Sequence, residues 1–270
     1  GYRVIKRSRM LGEIAEGQRC MAVAGTHGKT TTSTLTSHIF TASGEGCSAF
    51  LGGISKNYGT NLLISGNDVI VAEADEFDRS FLQLFPEIAV ITSMDPDHLD
   101  IYGDEAHIRE AFKAFASQVS GTVIARYGLD ITAADTKARI MTYGFNEPSA
   151  DFWSEPLEKG HFNLHYPGGV LEDCVVGIPG WVNVENGTAA AGGNFYLYRG
   201  ELSVMTVSSV INGTATGSGG NIYIEGTFRA FDCTFEGGES GINGGNIYAA
   251  GGIYLNNATI SGGSAATDGD

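Results

Sequence analysis

The chain is short of basic charge, of cysteine and of long apolar runs, and each shortage closes off a class of function. Only 16 Lys and Arg stand against 31 Asp and Glu, a formal net charge of −15, so the chain lacks the electrostatic footprint of a nucleic-acid binder. Its four cysteines, Cys20, Cys47, Cys174 and Cys233, show no C-x-x-C spacing. That argues against a zinc site and offers no disulfide framework, leaving reduced, buried thiols as the expectation. No apolar run reaches the roughly 18 residues that a membrane-spanning helix needs. Nor does a charged, then apolar, then small-residue start mark an export signal, in a chain that opens on Gly1. Proline, lysine and histidine all run out part-way along, the last of each being Pro179, Lys159 and His165.

What is present begins with a 42% hydrophobic composition, enough for the core of one large or two ordinary domains. The stretch Gly25-Thr26-His27-Gly28-Lys29-Thr30-Thr31-Thr32 follows the apolar run Cys20-Met21-Ala22-Val23-Ala24 and precedes Leu35, Ile39 and Phe40 at helical spacing. Strand, glycine turn and helix in that order form a phosphate-binding loop. The glycines turn the backbone so that its N–H groups point at an anion, and the helix adds its positive N-terminal end. Lys29 then reaches the outer phosphates and Thr30 holds Mg²⁺. The longer pattern G-x-x-x-x-G-K-[ST] fails, because Val23 stands at its first glycine, and the shorter G-T-x-G-K-T fits. A chain this acidic needs Mg²⁺ to screen a bound nucleotide.

Two further buried strands are expected at 68–72 and 88–92, running into Glu73-Ala74-Asp75-Glu76-Phe77-Asp78 and Asp95-Pro96-Asp97-His98-Leu99-Asp100. Between them and the first helix, the glycine-rich stretch 48–61 reads as a loop able to approach a ligand closely. In an open parallel sheet ligands bind at the C-terminal ends of the strands, where these acidic groups gather. Carboxylates supply the hard oxygen ligands that Mg²⁺ prefers, and His98 adds a nitrogen. Residues 1–17 form an amphipathic basic lead-in with Val4, Ile5, Met10, Leu11 and Ile14 as its apolar positions. A helix is expected over 105–119, strands over 122–125 and 140–143, and hairpins over 151–176. His161 and His165 lack an acidic partner at metal-ligand spacing and read as surface or strand residues.

Beyond about residue 191 the composition turns to Gly, Asn, Ser and Thr, and a mark repeats: Gly192-Gly193-Asn194, Gly219-Gly220-Asn221 and Gly244-Gly245-Asn246. Strand-like pieces at 202–207, 227–235 and 253–260 lie between the marks. A period of this length with glycine turns suggests a solenoid of stacked coils, resembling the right-handed parallel β-helix of exported or surface-displayed bacterial repeat proteins.

The front motifs, together with Pro179-Gly180-Trp181-Val182-Asn183-Val184-Glu185-Asn186, resemble the Mur ligases. Among their branches they are most similar to the one that joins L-alanine to UDP-N-acetylmuramate. The resemblance covers about residues 1–191. It implies an α/β fold, a P-loop central domain with a mostly parallel sheet over 18–191, followed by the all-β β-helix segment over 192–270. It implies ATP and Mg²⁺ as cofactors and a UDP-sugar as substrate. Gly25, Thr26, His27, Gly28, Lys29, Thr30, Thr31 and Asn183 would contact the nucleotide; Lys29, Glu73 and His98 would serve catalysis, and Thr30, Glu73 and His98 would hold metal. Val182 stands where the family often has His. The family also uses an N-terminal domain for UDP and a C-terminal domain for the amino acid, and both are expected to be missing here.

Asn186-Gly187-Thr188-Ala189 recurs as Asn212-Gly213-Thr214-Ala215, each soon followed by Gly-Gly-Asn. This is the trace a splice through a short shared stretch would leave. The chain is therefore expected to be a chimera, natural or from sequence assembly, of a cytoplasmic ligase fragment and an exported β-helix fragment. Two other readings stay open: a structural or adhesive β-helix protein carrying a ligase remnant, and the related murein-tripeptide ligase, from which Asp-His-Leu-Asp-Ile-Tyr-Gly points away.

Overall fold

The run Cys20-Met21-Ala22-Val23-Ala24 is buried along its whole length, as a strand enclosed on both faces of a parallel sheet must be. In the computed structural model it belongs to β1 (Arg19–Ala24), inside a 10-stranded sheet. The structure describes residues 4–96, 102, 104–197, 203–204, 210–211, 214–215, 221–224, 228–231, 234–249, 253–256 and 258–266. Two compact units divide the chain: Gly1–Phe40 with Gly46–Leu197, and Thr41–Glu45 with Tyr198–Asp270.

The first unit runs α1 (Arg7–Ala15), β1, α2 (Lys29–Ala42), β2 (Ser48–Ser55), β3 (Thr60–Leu63), β4 (Val69–Ala74), a 3-10 segment (Phe77–Gln83), β5 (Ile88–Ile91) and α3 (Glu105–Ser117). It continues through β6 (Thr122–Arg126), β7 (Arg139–Phe145), β8 (Phe152–Pro156), β9 (Phe162–Tyr166) and β10 (Gly169–Cys174) to α4 (Trp181–Leu197). Across the sheet the order is β10-β9-β8-β7-β6-β5-β1-β4-β2-β3. Strands β2, β4, β1, β5, β6, β7 and β8 run parallel, while β3 at one edge runs against them and, at the other, β9 pairs antiparallel with both β8 and β10. From β1 the chain goes to β2 and β4 on one side and then to β5 on the other. That makes β1 the switch point, where a crevice opens at the C-terminal edge.

Packing fixes what stands at that edge. Cys20, Ala22 and Ala24 of β1 share a face with Ile70, Ala72 and Ala74 of β4, and this face meets α3. The 3-10 segment is anchored there by Phe81, which packs edge-on to Phe112 at 5.3 Å and stacks on Phe115 at 5.0 Å. Each buried ring contributes on the order of 2–3 kcal/mol. The Lys6–Asp78 ion pair on the same segment is exposed on both sides and adds little by comparison.

Several expectations need correction. The stretch 48–61 is a hairpin, β2 with β3, rather than a loop, because Ala49 and Leu51 alternate into the core despite the glycines. Helix α2 buries Thr32, Ser33, Thr36, Ser37 and Phe40, while Leu35 and Ile39 are only half-buried. The lead-in contains α1, but Ala15 is its one buried residue, and Met10 and Ile14 are exposed. The hairpins expected over 151–176 are the strands β8, β9 and β10.

Helix α4 continues past residue 191, where the composition changes, to Leu197. Val184, Ala189 and Ala190 are buried, and Gly192 continues the packing face against Phe152 and Ile124. Asn194, the first repeat mark, therefore lies in a helix. In the second unit the described strands are β11 (Ser203–Val204), β12 (Val210–Ile211), β13 (Thr214–Ala215), β14 (Ile222–Ile224), β15 (Phe228–Phe231) and β16 (Thr234–Glu236). They are followed by β17 (Glu239–Ser240), β18 (Ile247–Ala249), β19 (Ile253–Asn256), β20 (Thr259–Ser261) and β21 (Ser264–Ala265). All pair in parallel, as β11-β15-β19, β12-β16-β20, β13-β17-β21 and β14-β18. The pieces expected at 227–235 and 253–260 are each two short strands, in different sheets.

Candidate functional site

Backbone geometry at the end of β1 admits glycine alone. Gly25 has φ +135°, and a Cβ there would collide with Thr92 Oγ1. Gly28 has φ +83°, and a Cβ would lie 2.7 Å from Asn186 Oδ1. Such positive φ values disfavour side chains, so the two glycines set the loop's path. Helix α2 starts at Lys29, and its first turn closes through Thr32 N–H donating to Gly28 O at 2.9 Å.

The loop is tied to the end of β5, its parallel neighbour. Thr92 Oγ1 donates to Ala24 O at 3.1 Å and also to His27 O. Ser93 Oγ accepts His27 N–H at 2.9 Å and bonds Thr26 Oγ1 at 2.7 Å. Asp95 N–H donates to Thr26 Oγ1 at 3.2 Å. Thr92 and Ser93 were not among the expected site residues. Their only signal is position, as the first polar residues after the buried run of β5.

Glu73, in β4, stands where β2 and α2 converge. Its carboxylate accepts from Thr30 Oγ1 at 3.0 Å, from Gly52 N–H at 2.8 Å and, more loosely, from Ser33 Oγ at 3.5 Å. Thr30 is exposed and Glu73 half-exposed, so hard oxygens of both lie open at the mouth of the loop. This donor set suits a small hard cation such as Mg²⁺.

Lys29 turns back over the loop. Its ammonium donates to Gly25 O at 2.8 Å and to both oxygens of Glu76, at 3.0 and 2.8 Å. Glu76 is 2% exposed, and its backbone carbonyl accepts from Tyr102 Oη at 2.5 Å. Burial, reinforced by the Glu76 charge, pushes the Tyr102 hydroxyl upward and keeps it a donor.

The structure thus brings together Gly25, Thr26, His27, Gly28, Lys29, Thr30 and Glu73. Thr31 is half-buried in the first turn of α2. His98 lies outside the described residues. Asn183 is engaged by its own turn, donating through Nδ2 to Pro179 O at 2.8 Å and through its backbone N–H to Gly180 O at 2.9 Å. That turn borders a cavity of about 440 Å³ lined by Val176, Ile178, Pro179, Trp181 and Val184. One helical turn on, Asn186 is the residue that reaches the loop. His161 and His165 do have carboxylate partners, supplied by strand pairing: Nδ1 of His161 lies 2.6 Å from Asp173 and Nε2 of His165 lies 3.2 Å from Glu155. His165 also stacks on Trp153 at 3.8 Å, which marks it as a packed strand residue. Among the described residues no cluster of His, Cys, Asp and Glu could hold a metal by itself. No described helix is long and apolar enough to cross a membrane.

Residues 23–193 match the family model of the Mur ligase middle domain. The chain is 44% identical over 227 residues to the UDP-N-acetylmuramate–L-alanine ligase of Porphyromonas gingivalis, covering 81% of this chain and 48% of that one. To the protein of the same name from Parabacteroides distasonis it is 46% identical over 198 residues, 70% of this chain and 43% of that one. The chain spans about half the length of the curated relatives it matches. Among solved structures, the UDP-N-acetylmuramate:L-alanyl-gamma-D-glutamyl-meso-diaminopimelate ligase from Neisseria meningitides superposes with a TM-score of 0.61 at 20% identity, over 72% of this chain and 65% of that one. At that identity the likeness is one of fold.

Proposed function

The chain belongs to the Mur ligase family through its middle domain, and from that premise we propose that residues 18–191 bind ATP with Mg²⁺ as the nucleotide-binding part of a ligase joining L-alanine to UDP-N-acetylmuramate. The observation that carries the reading is the loop between β1 and α2 with Thr30 bonded to Glu73 at 3.0 Å, at the switch point of a parallel sheet. In the reaction, the substrate carboxylate takes the γ-phosphoryl group to form an acyl phosphate, and the amine of L-alanine then displaces phosphate. The work of this chain is positional and electrostatic. Loop N–H groups and the start of α2 cradle the phosphates, and Lys29 neutralises charge on the group in transfer. Thr30 and Glu73 would hold Mg²⁺, with His98 a candidate for a second ion; the metal supplies charge neutralisation on the phosphates. Relatives at 44% and 46% identity carry the L-alanine ligase name, which favours that reaction over the murein-tripeptide one.

We propose further that the second unit is a short parallel β-helix. Parallel ladders place Ile222 opposite Ile247 and Phe228 opposite Ile253, and Asn221 Nδ2 donates to Asn246 Oδ1, 25 residues on, at 2.7 Å. The change of composition near residue 191, with proline, lysine and histidine absent beyond it, supports a chimeric origin.

Calorimetric titration of the full chain with ATP and Mg²⁺ tests the nucleotide reading. Binding is expected in the unsubstituted chain, weakened about 10- to 100-fold by Lys29→Ala, the worth of hydrogen bonds to a charged group. An unsubstituted chain that does not bind, or a Lys29→Ala chain that binds equally well, would overturn it.

A further inference from the structure

An ammonium group has three protons, and all three of Lys29 are taken: by Gly25 O at 2.8 Å, Glu76 Oε1 at 3.0 Å and Glu76 Oε2 at 2.8 Å. The lysine that the loop would offer to a phosphate is therefore saturated by the protein itself. Its side chain is 15% exposed and that of Glu76 2% exposed, so the pair is withdrawn from water, where such contacts are strong and their loss is costly.

The delivery of Glu76 is built into the chain. Just after it, Asp78 and Arg79 hold φ of 52° and 54°, a left-handed conformation unfavourable for residues with a side chain. Strain of this kind persists only where the surroundings enforce it. Here they do. Arg79 N–H and Tyr102 Oη both bond Glu76 O, at 2.9 and 2.5 Å, and Phe81 is buried between Phe112 and Phe115. A strained turn, pinned from two sides, presents one carboxylate to one ammonium.

We propose that Glu76 is an internal stand-in for the nucleotide's outer phosphates, occupying Lys29 while the loop is empty and giving it up when a polyphosphate binds. The proposal rests on the nucleotide-binding reading above. Phosphate oxygens and Glu76 compete for the same three protons, and each phosphate contact to Nζ displaces a contact to the carboxylate. Affinity is then lower than the loop geometry alone would allow, in proportion to the fraction of time that Lys29 is free. In return the lysine stays folded over the loop, with its charge neutralised.

The test uses the full chain, unsubstituted and as Glu76→Gln, which keeps the shape and removes the charge. Acylation of Lys29 by an amine-reactive ester, followed by mass spectrometry of its peptide, needs no nucleotide. Lys29 should label about tenfold faster in Glu76→Gln, as expected if it is free about a tenth of the time in the unsubstituted chain; equal rates overturn the proposal. Calorimetry with ADP and Mg²⁺ should give binding about tenfold tighter in Glu76→Gln by the same reasoning. Unchanged or weaker binding overturns the proposal, since a carboxylate that merely supported the loop would lose affinity on substitution. Should Glu76→Gln fail to fold, Glu76→Asp, whose shorter stem withdraws the carboxylate, must move both readouts in the same directions. The two failures are distinguishable: nucleotide binding without a gain sinks the stand-in alone, whereas no binding by either protein sinks the nucleotide reading and the stand-in with it.

Discussion

A thiol enclosed by apolar packing keeps its proton longer than one in water, and Cys20 and Cys47 are both so enclosed, at 1% and 2% exposure. Burial pushes each from an ordinary 9.0 up to about 12, with hydrogen bonding to the Ser37 side chain a weaker, opposing influence on Cys47. Between pH 9 and about 12 the unfolded chain gives up these protons while the folded chain holds them. Their contribution to stability is therefore complete below pH 9 and is lost as pH rises through that window, at up to about 1.4 kcal/mol per pH unit for each thiol. Urea midpoints measured from pH 8.5 to 10.5 should fall, and the double variant Cys20→Ala, Cys47→Ala should show a shallower fall; parallel slopes would refute the assignment. At this scale the sequence was informative wherever the chemistry was local. Gly25, Lys29 and Thr30 lie within one turn of chain, so their joint role could be read directly. Thr92, Ser93 and Glu76 act on that loop from 47 to 67 residues away, through strand pairing and a strained turn that leave no periodic trace.

At the scale of elements, apolar periodicity found α2 and its buried Phe40 but missed the rest of its buried face. Leu35 and Ile39 suggested a greasy stripe, whereas the helix lies on Thr32, Ser33, Thr36 and Ser37. Small hydroxyl residues allow close approach, at the cost of polar atoms that need partners. Ser37 Oγ finds one in Ser33 O at 2.7 Å. Thr36, at 0% exposure, has a hydroxyl with no partner among the described residues. Thr36→Val keeps the branched shape and removes the orphan oxygen, so it should stabilise the chain by about 1 kcal/mol. A higher urea midpoint with unchanged slope would bear this out; a lower one would mean that the oxygen is satisfied after all. The same limit explains β2 and α4. Glycine-rich composition reads as loop or repeat, yet Ala49 and Leu51 are buried alternately in β2, and Ala189 and Ala190 hold α4 on the sheet. The parallel strands were legible because a strand buried on both faces leaves an unbroken apolar run.

Over the whole molecule the chain divides into two units with different internal logic, a sheet with flanking helices and a set of short parallel ladders. In the second unit Asn246 carries unusual weight. It is 5% exposed; its Oδ1 accepts from Asn221 Nδ2 at 2.7 Å and from Gly238 N–H at 3.0 Å, and its Nδ2 donates to Ser261 O at 3.0 Å. One side chain thus bonds three successive levels of the repeat. Asn246→Ala strands the buried N–H of Gly238, while Ser261 O keeps Gly237 N–H and Asn221 Nδ2 keeps Glu236 O, and should destabilise the ladders by about 2 kcal/mol. Both tryptophans, Trp153 and Trp181, belong to the first unit, so their fluorescence reports on the sheet alone while circular dichroism reports on both units. In urea, Asn246→Ala should lower the transition seen by circular dichroism and leave the tryptophan transition, and Lys29-dependent ATP binding, where they were. If the fluorescence transition moves down by the same amount, the two units unfold as one cooperative body, and the repeat contributes to the stability of the nucleotide site.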